Sequence, residues 1–552
     1  MNAQTHPWWS EAIVYQVYPR SFADGNGDGI GDLRGLIEKL PYLEDLGVDA
    51  VWLTPFYPSP LADGGYDVAD YCDVDPRIGT LQEFDQLLQI TKNHNIRVII
   101  DLVPNHCSAS HPLFQAALAA KPGSAERGLF IFRDGRGPGG DQPPNNWPSN
   151  FGGPAWTRVG DGQWYLHLFD SGQPDWDWRN PEVRQMFEKI IRFWLDRGVA
   201  GLRVDVAHGM FKEPGLPDLA VPERSNRPNA YTHRPEIHEL YRTWRAILDS
   251  YDPDAFPGAR TAVGEVWADS PPTLQPYLAP GGLPQVFNFE LITSDWKAAS
   301  IKAAVDATLA LAGGSRAPWV LGNHDVLRPV TRLGGPARAR AAALLLLALP
   351  GSAYVYQGEE LGLPEVLDLP DAARQDPRFF RTKGKARGRD GCRIPLPWSP
   401  AGPSYGFSRT DNGASPAPPW LPQPEGWGAY SAEAERPDPD SFYNLYRAAL
   451  RLRRSHPALG LGRPRGTGTV RWLDAPPDAL VFGRDPGFVF AANLGDDPLP
   501  LPPHEEVLLA SSPLVSSDGA PDGALPPDGA AWLAAAPAPV PPTVCQMRTR
   551  AG

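Results

Sequence analysis

Three observations predict an α/β protein built as a (β/α)8 TIM barrel, with an inserted subdomain after strand 3 and a C-terminal β-sandwich domain. Short β-rich runs alternate with amphipathic helical patterns until eight strands are counted, and one irregular stretch rich in Gly, Pro, Asn and Trp interrupts that alternation. Beyond about Gly460 the chain turns Pro-rich, with short strand-like pieces. Eight parallel strands joined by crossover helices close into a barrel.

The elements run in order. AIVYQVYP reads as strand one, with the helix DLRGLIEKLPYLEDLG after it; DAVWLTPF is strand two, with the helix TLQEFDQLLQITKNHN; RVIIDLVPNH is strand three. The irregular stretch Cys107 to Trp178 follows, then the helix NPEVRQMFEKIIRFWLDRG and strand four, VAGLRVDV. The helix HRPEIHELYRTWRAILDSY leads to strand five, TAVGEV, and strand six, QVFNFELI. IKAAVDATLALA is a helix, PWVLGNHD strand seven, ARARAAALLLLAL a helix and GSAYVYQG strand eight. The expected domains are a first barrel part over 1–105, the insert over 106–178, a second barrel part over 179–460 and the β domain over 461–552. TVRWL, ALVFGR and GFVFAAN are strand-like pieces of that last domain, whose Gly and Pro density also allows a partly disordered end.

A chain of 552 residues exceeds one ordinary domain of ~100–200 residues. Hydrophobic content of 42% with 18 Trp, 17 Tyr and 21 Phe describes a globular protein, and surplus aromatics are what sugar clefts use to stack pyranose rings. The net charge of −13 argues against nucleic acid and anionic membrane as partners, since both demand a basic surface. The N-terminus carries no basic segment followed by an apolar run, and Pro350 and Gly351 break the longest apolar run. A soluble, cytoplasmic protein is expected. Cys72, Cys107, Cys392 and Cys545 show no CxxC spacing and are expected as free thiols.

Within GVAGLRVDVAHGM, Arg203 and Asp205 stand inside an otherwise apolar strand. Barrel strands present their C-terminal ends at the catalytic face, where polar groups carry function. Asp205 falls there, as do Glu265 at the end of TAVGEV and Asp325 at the end of WVLGNHD, with His106, Arg203 and His324 beside them. One such Asp is ordinarily a helix cap; three converging carboxylates with basic companions are not explained by capping. Paired carboxylates at an anomeric carbon perform glycoside hydrolysis, one as nucleophile and one as acid. Arg203, two residues before Asp205 and on the same side of the strand, can hold the nucleophile ionised. A second cluster is DGNGDGIGD, where Asp24, Asn26, Asp28 and Asp32 alternate with glycines as oxygen ligands around a hard cation would. Gly35 stands where a bidentate Glu would complete an EF-hand, so the loop is not one.

DLVPNH, GLRVDVAH, GEVW and LGNHD, in this order, resemble the four signature segments of the α-amylase superfamily, glycoside hydrolase family thirteen. QVYPRSFADGNGDGIGDLRGL, DGGYDVADYCDVDPRIGT, NNWPSNFGGPAW, QPDWDWRNPEVR and GRDGCRIPLPW resemble its α-glucosidase and oligo-1,6-glucosidase branch, over residues 8 to about 460. The resemblance implies Asp205 as nucleophile, Glu265 as acid/base and Asp325 as the carboxylate that stabilises the transition state. It implies His106, Arg203 and His324 as partners of the non-reducing glucose, Asp63 and Tyr66 as the pair that seats and stacks it, and Arg389 as reaching its O4 end. Phe151 and Phe169 are expected as aromatic walls or as core. The family's structural Ca²⁺ would lie at the glycine-rich loop, with the Ile30 carbonyl as a further ligand; no organic cofactor is implied.

The expected activity is a retaining, exo-acting α-glucosidase on small α-gluco-oligosaccharides or α-glucosides of the maltose type, with transglucosylation as a side reaction. An oligo-1,6-glucosidase and a trehalose-synthase-like isomerase are the alternatives, and the oligomeric state stays open. QPDWDW and IPLPW stand where QPDLNW and TPMQW are common, and Val206 follows the nucleophile where α-1,4 enzymes of the branch often carry Thr. The preference between α-1,4 and α-1,6 linkages therefore stays open, with a lean to α-1,4. Catalytically silent superfamily members that partner transporters lack the carboxylate set, which this chain has.

Overall fold

The computed structural model describes residues 7–221, 228–312, 317–409, 415–460, 469–517 and 520–536. Eight parallel strands form its central sheet: β1 (Ile13–Val17), β2 (Ala50–Leu53), β3 (Arg97–Leu102), β4 (Gly201–Val204), β5 (Thr261–Gly264), β6 (Gln285–Val286), β7 (Pro318–Val320) and β8 (Ser352–Tyr356). The ladder runs β7-β8-β1-β2-β3-β4-β5-β6, so the seam falls between β6 and β7. Inward residues repeat with the strand period of two. Val14, Trp52, Ile99, Val263 and Tyr354 accordingly share one buried cluster that fills the barrel.

The crossover helices follow their sequence signals. Thr80 caps the helix Leu81–Asn93, its hydroxyl accepting from the Glu83 amide at 3.1 Å, a capping-box start. Asn180 caps Pro181–Arg197, which ends on Gly198 in the left-handed region (φ 111°), where a residue with a Cβ would be strained. That helix buries Val183, Phe187, Ile190, Ile191, Trp194 and Leu195 against the sheet.

Two expectations are corrected in detail. QVFNFELI is a strand over two residues, after which Glu290–Thr293 is helical. The Asn288 side chain accepts from the Glu290 amide at 3.0 Å and donates to Thr308 at 2.7 Å, turning the chain off the sheet. The stretch Cys107 to Trp178 is not wholly irregular: it holds the helix Pro112–Ala119 and a three-stranded antiparallel sheet of Phe132–Asp134, Trp156–Arg158 and Gln163–Leu166. The C-terminal region is all β, with a five-stranded and a three-stranded antiparallel sheet. Cys72, Cys107 and Cys392 are free. Cys545 and the last residues of the Pro-rich tail lie outside the described residues. No described helix is long and apolar enough to cross a membrane.

Candidate active site

Strand register assembles the site. Asp101 on β3 is the direct neighbour of Arg203 on β4, and Arg203 is the neighbour of Val263 on β5. Ile99 and Asp101, Arg203 and Asp205, and Val263 and Glu265 are pairs at period two, so the polar members continue the inward face beyond the apolar layer. Arg203, buried at 1% exposure, joins them. Its Nη1 donates to Asp205 Oδ1 at 2.6 Å and to Asp101 Oδ1 at 2.8 Å, while Nη2 lies 2.9 Å from Glu265 Oε2. The Val206 amide donates to the same Glu265 oxygen at 3.1 Å, from a residue at φ 43° that a β-branched side chain rarely adopts. The indole of Trp267 donates to Glu265 Oε1 at 3.0 Å.

One guanidinium is shared among three buried carboxylates, and Asp205 and Asp101 retain their protons to a higher pH than isolated carboxylates do. Burial pushes Asp205 up, Arg203 opposes that rise, and Glu265 and Asp101 add to it. Burial likewise raises Asp101, to about 6, against the pull of Arg203. Asp325 behaves oppositely. Burial alone would raise it, but His324, Arg389 and Arg393 outweigh that and hold it well below the usual carboxylate range. Arg389 Nη1 and Arg393 Nη2 reach Asp325 Oδ1 at 3.0 and 3.1 Å. Burial keeps His324 neutral; its Nδ1 takes a hydrogen bond from Gln16 at 2.7 Å and its Nε2 faces Asp325 at 3.3 Å.

A second network centres on Arg389. Arg389 binds Asp63 through Nη2, Asp376 through Nε at 2.6 Å and Asp325 through Nη1, and its guanidinium lies over the Phe151 ring. Gln173 donates to Asp63 at 3.1 Å and sits 3.1 Å from His106 Nε2. Tyr66 donates to Asp101 at 2.9 Å and stacks on His324, with centroids 5.2 Å apart and an interplanar angle of 3°.

These groups surround a cavity of about 800 Å³. Asp63, Tyr66, His106, Phe151, Phe169, Asp205, Glu265, Asp325 and Arg389 all line it. Arg203 and His324 do not line it; they stand behind, each at 1% exposure, holding the residues that do. Phe151 and Phe169 meet edge to face at 5.5 Å on the wall. Asp101, Gln173, Asp376 and Arg393 were missed in the sequence. Asp101 was visible in IIDLVPNH as a charge inside a strand, and Gln173 and Arg393 stand inside QPDWDWRNPEVR and GRDGCRIPLPW, whereas Asp376 carries no local signal.

Asp24, Asn26, Asp28 and Asp32 share one loop. Asp24 accepts from the amides of Asn26, Gly27 and Gly29, Asp28 from that of Ile30, and Asp32 from those of Gly25 and Gly35. The carboxylates thus cap the loop's own backbone. Among the described residues no three or more His, Cys, Asp or Glu side chains converge in a metal-binding group. The donor set of Asp carboxylates, an Asn amide and the Ile30 carbonyl is nevertheless one of hard oxygens suited to Ca²⁺.

Known proteins resemble the chain over most of its length. Residues 16–462 match the family model described as alpha amylase, catalytic domain. A probable alpha-glucosidase of Rhizobium meliloti is 39% identical over 87% of both chains. An oligo-1,6-glucosidase of Parageobacillus thermoglucosidasius is 34% identical over 82% of this chain and 85% of its own. Among solved structures, the alpha-glucosyl transfer enzyme XgtA aligns with a TM-score of 0.84 at 38% identity, over 96% of this chain and 100% of its own. The trehalulose synthase MutB of Pseudomonas mesoacidophila aligns with a TM-score of 0.84 at 32% identity, over 96% of this chain and 99% of its own. With its barrel, its cluster of carboxylates and this match over most of its length, the chain belongs to the α-amylase family.

Proposed function

We propose that the chain is a retaining, exo-acting α-glucosidase that releases glucose from the non-reducing end of short α-glucosides. The observation that carries the reading is the guanidinium shared by Asp205 and Glu265, one carboxylate on each terminal nitrogen. Retaining glycosidases need their two carboxyls at about 5–5.5 Å, too close for an intervening water, and a common guanidinium favours that spacing.

In the first step Glu265 gives its proton to the glycosidic oxygen, the C1–O bond to the leaving group breaks, and Asp205 forms an ester bond to C1. In the second, water attacks C1, the ester bond breaks and Glu265 takes the water's proton. Asp325 and His106 are assigned to the sugar hydroxyls, Tyr66 to the ring face, with His324 behind holding Asp325 and Tyr66, and Phe151 and Phe169 to the walls. Asp63 and Arg389 are assigned to O4; their mutual contact and the Asp376 brace support a closed end that no longer chain can pass. The names of the relatives, α-glucosidase and oligo-1,6-glucosidase, support the substrate class.

Glucosyl transfer is the second reading, favoured by the likeness to XgtA and to a trehalulose synthase. The same ester would then be intercepted by a sugar hydroxyl. Product analysis on maltose, isomaltose, sucrose, trehalose and amylose tests both: glucose as first product supports hydrolysis, an isomerised disaccharide supports transfer, and maltose or longer fragments from amylose would require an open cleft.

Asp24, Asn26, Asp28, Asp32 and the Ile30 carbonyl are assigned to a structural Ca²⁺. The ion would brace a loop already stitched to a distant segment, with Asp24 N on Phe407 O, Ala417 N on Gly27 O and Trp420 N on Gly29 O, each at 2.9 Å.

A further inference from the structure

We infer that Trp267 is a positioning residue that fixes which oxygen of Glu265 delivers the proton. The inference rests on the reading of Glu265 as the acid/base. A carboxyl oxygen offers two lone pairs. Those of Oε2 meet Arg203 Nη2 at 2.9 Å and the Val206 amide at 3.1 Å. A proton on Oε2 would have to face one of these two donors, so the acidic proton belongs on Oε1. There the Trp267 indole donates at 3.0 Å and takes one side of the oxygen. The proton is left on the other side. Both residues line the cavity, so the O–H has the substrate space before it.

The indole is well held for this task. Trp267 stands two residues after Glu265, stacks on Phe289 with centroids 4.1 Å apart at 21°, and its carbonyl lies 3.1 Å from His233 Nε2. An indole N–H is a donor that never titrates, so it orients the carboxyl in both halves of the reaction. Other charged or titratable groups stand around Glu265: Arg203 and Asp205 on and beyond β4 and Asp101 on β3 interact with it, and Asp325, His208 and Asp269 line the same cavity. Replacing the indole by a phenyl ring leaves all of these in place.

Trp267→Phe is the test, read on maltose and on 4-nitrophenyl α-glucoside across pH. A hydrogen bond to the charged form of an acid lowers its pKa, so its loss moves the alkaline limb of kcat/KM to higher pH. Turnover of maltose, which needs a well-aimed proton, should fall about tenfold or more. The nitrophenyl substrate, whose leaving group needs little protonation, should change by less than about threefold. Trp267→Met, also without the N–H, should give the same pattern and serves if the Phe variant does not fold. Phe289→Leu keeps the N–H and should affect both substrates equally. Equal losses on the two substrates in Trp267→Phe with an unmoved alkaline limb would overturn the inference. If Glu265→Gln shows the leaving-group split and Trp267→Phe does not, only the role of Trp267 falls; if Glu265→Gln shows none, the assignment of Glu265 as the acid falls with it.

Discussion

Arg203 Nη1 lies 2.6 Å from Asp205 Oδ1, two residues on along the same face of the same strand. That contact, repeated to Asp101 and Glu265, makes one buried cation the hub of the site. Breaking a buried pair by removing one partner typically costs about 3–5 kcal/mol. Arg203→Met should therefore lower stability by about that amount and abolish turnover, as read by urea unfolding and by kcat. A variant as stable as the wild type would show that the hub holds nothing together.

Asp205→Asn should leave the fold intact and lower kcat by roughly four orders of magnitude or more, because an amide cannot form the ester. Circular dichroism and steady-state rates check it together. Near-native turnover would remove Asp205 from the mechanism.

Asp63→Ala should weaken every substrate alike, since all present the same terminal glucose. Losing a buried hydrogen-bond partner costs ~1–3 kcal/mol, so kcat/KM should drop by roughly 5- to 150-fold on maltose and isomaltose together. Val206→Thr should instead change the ratio of those two substrates. A selective loss in Asp63→Ala would move Asp63 away from the terminal glucose.

His106, His111 and His167 are each held down to about 4, in every case chiefly by burial. The unfolded chain takes up protons at these rings near pH 6.5 while the folded chain does not, so the rings by themselves lower stability as pH drops from about 6.5 toward 4, whereas Asp32, Asp67 and Asp101, each raised by burial to about 6, act in the opposite direction over that window. Each ring contributes at most about 1.4 kcal/mol per pH unit in that window. Urea midpoints at pH 7 and pH 5 measure the balance, and His167→Gln should make the variant relatively more stable at pH 5, measured against its own pH 7 value, than the wild type is. An equal difference between pH 7 and pH 5 in His167→Gln and in the wild type would contradict the buried neutral state of His167.

Exhaustive chelation should lower Tm, because a ligand bound only by the folded state stabilises it by mass action. Asp28→Ala should reproduce the shift without chelator. If Tm is unchanged once metal loss is confirmed, the Asp–Gly loop is a self-capped turn, as its backbone contacts already allow.

The sequence made the barrel legible because hydrophobic period and strand-end charges are local signals. Asp205 and Glu265 could be placed from their positions at strand ends alone. Strand six was overread, since the apolar run of QVFNFELI does not reveal that Asn288 diverts the chain. The braces of the closed end were illegible for a different reason. Gln173 lies 110 residues from Asp63, and Asp376, though 13 residues from Arg389, precedes it across an irregular stretch whose path no periodicity reveals.

The central claim is retention through a covalent intermediate formed by Asp205 and Glu265 acting together. Proton NMR of the anomeric signals during the first turnovers on 4-nitrophenyl α-glucoside, before mutarotation, tests it most directly. The account predicts that the glucose, the only sugar this substrate releases, appears first as the α-anomer, with the β signal growing only at the mutarotation rate. A first-formed β-anomer would mean direct displacement by water and would contradict it.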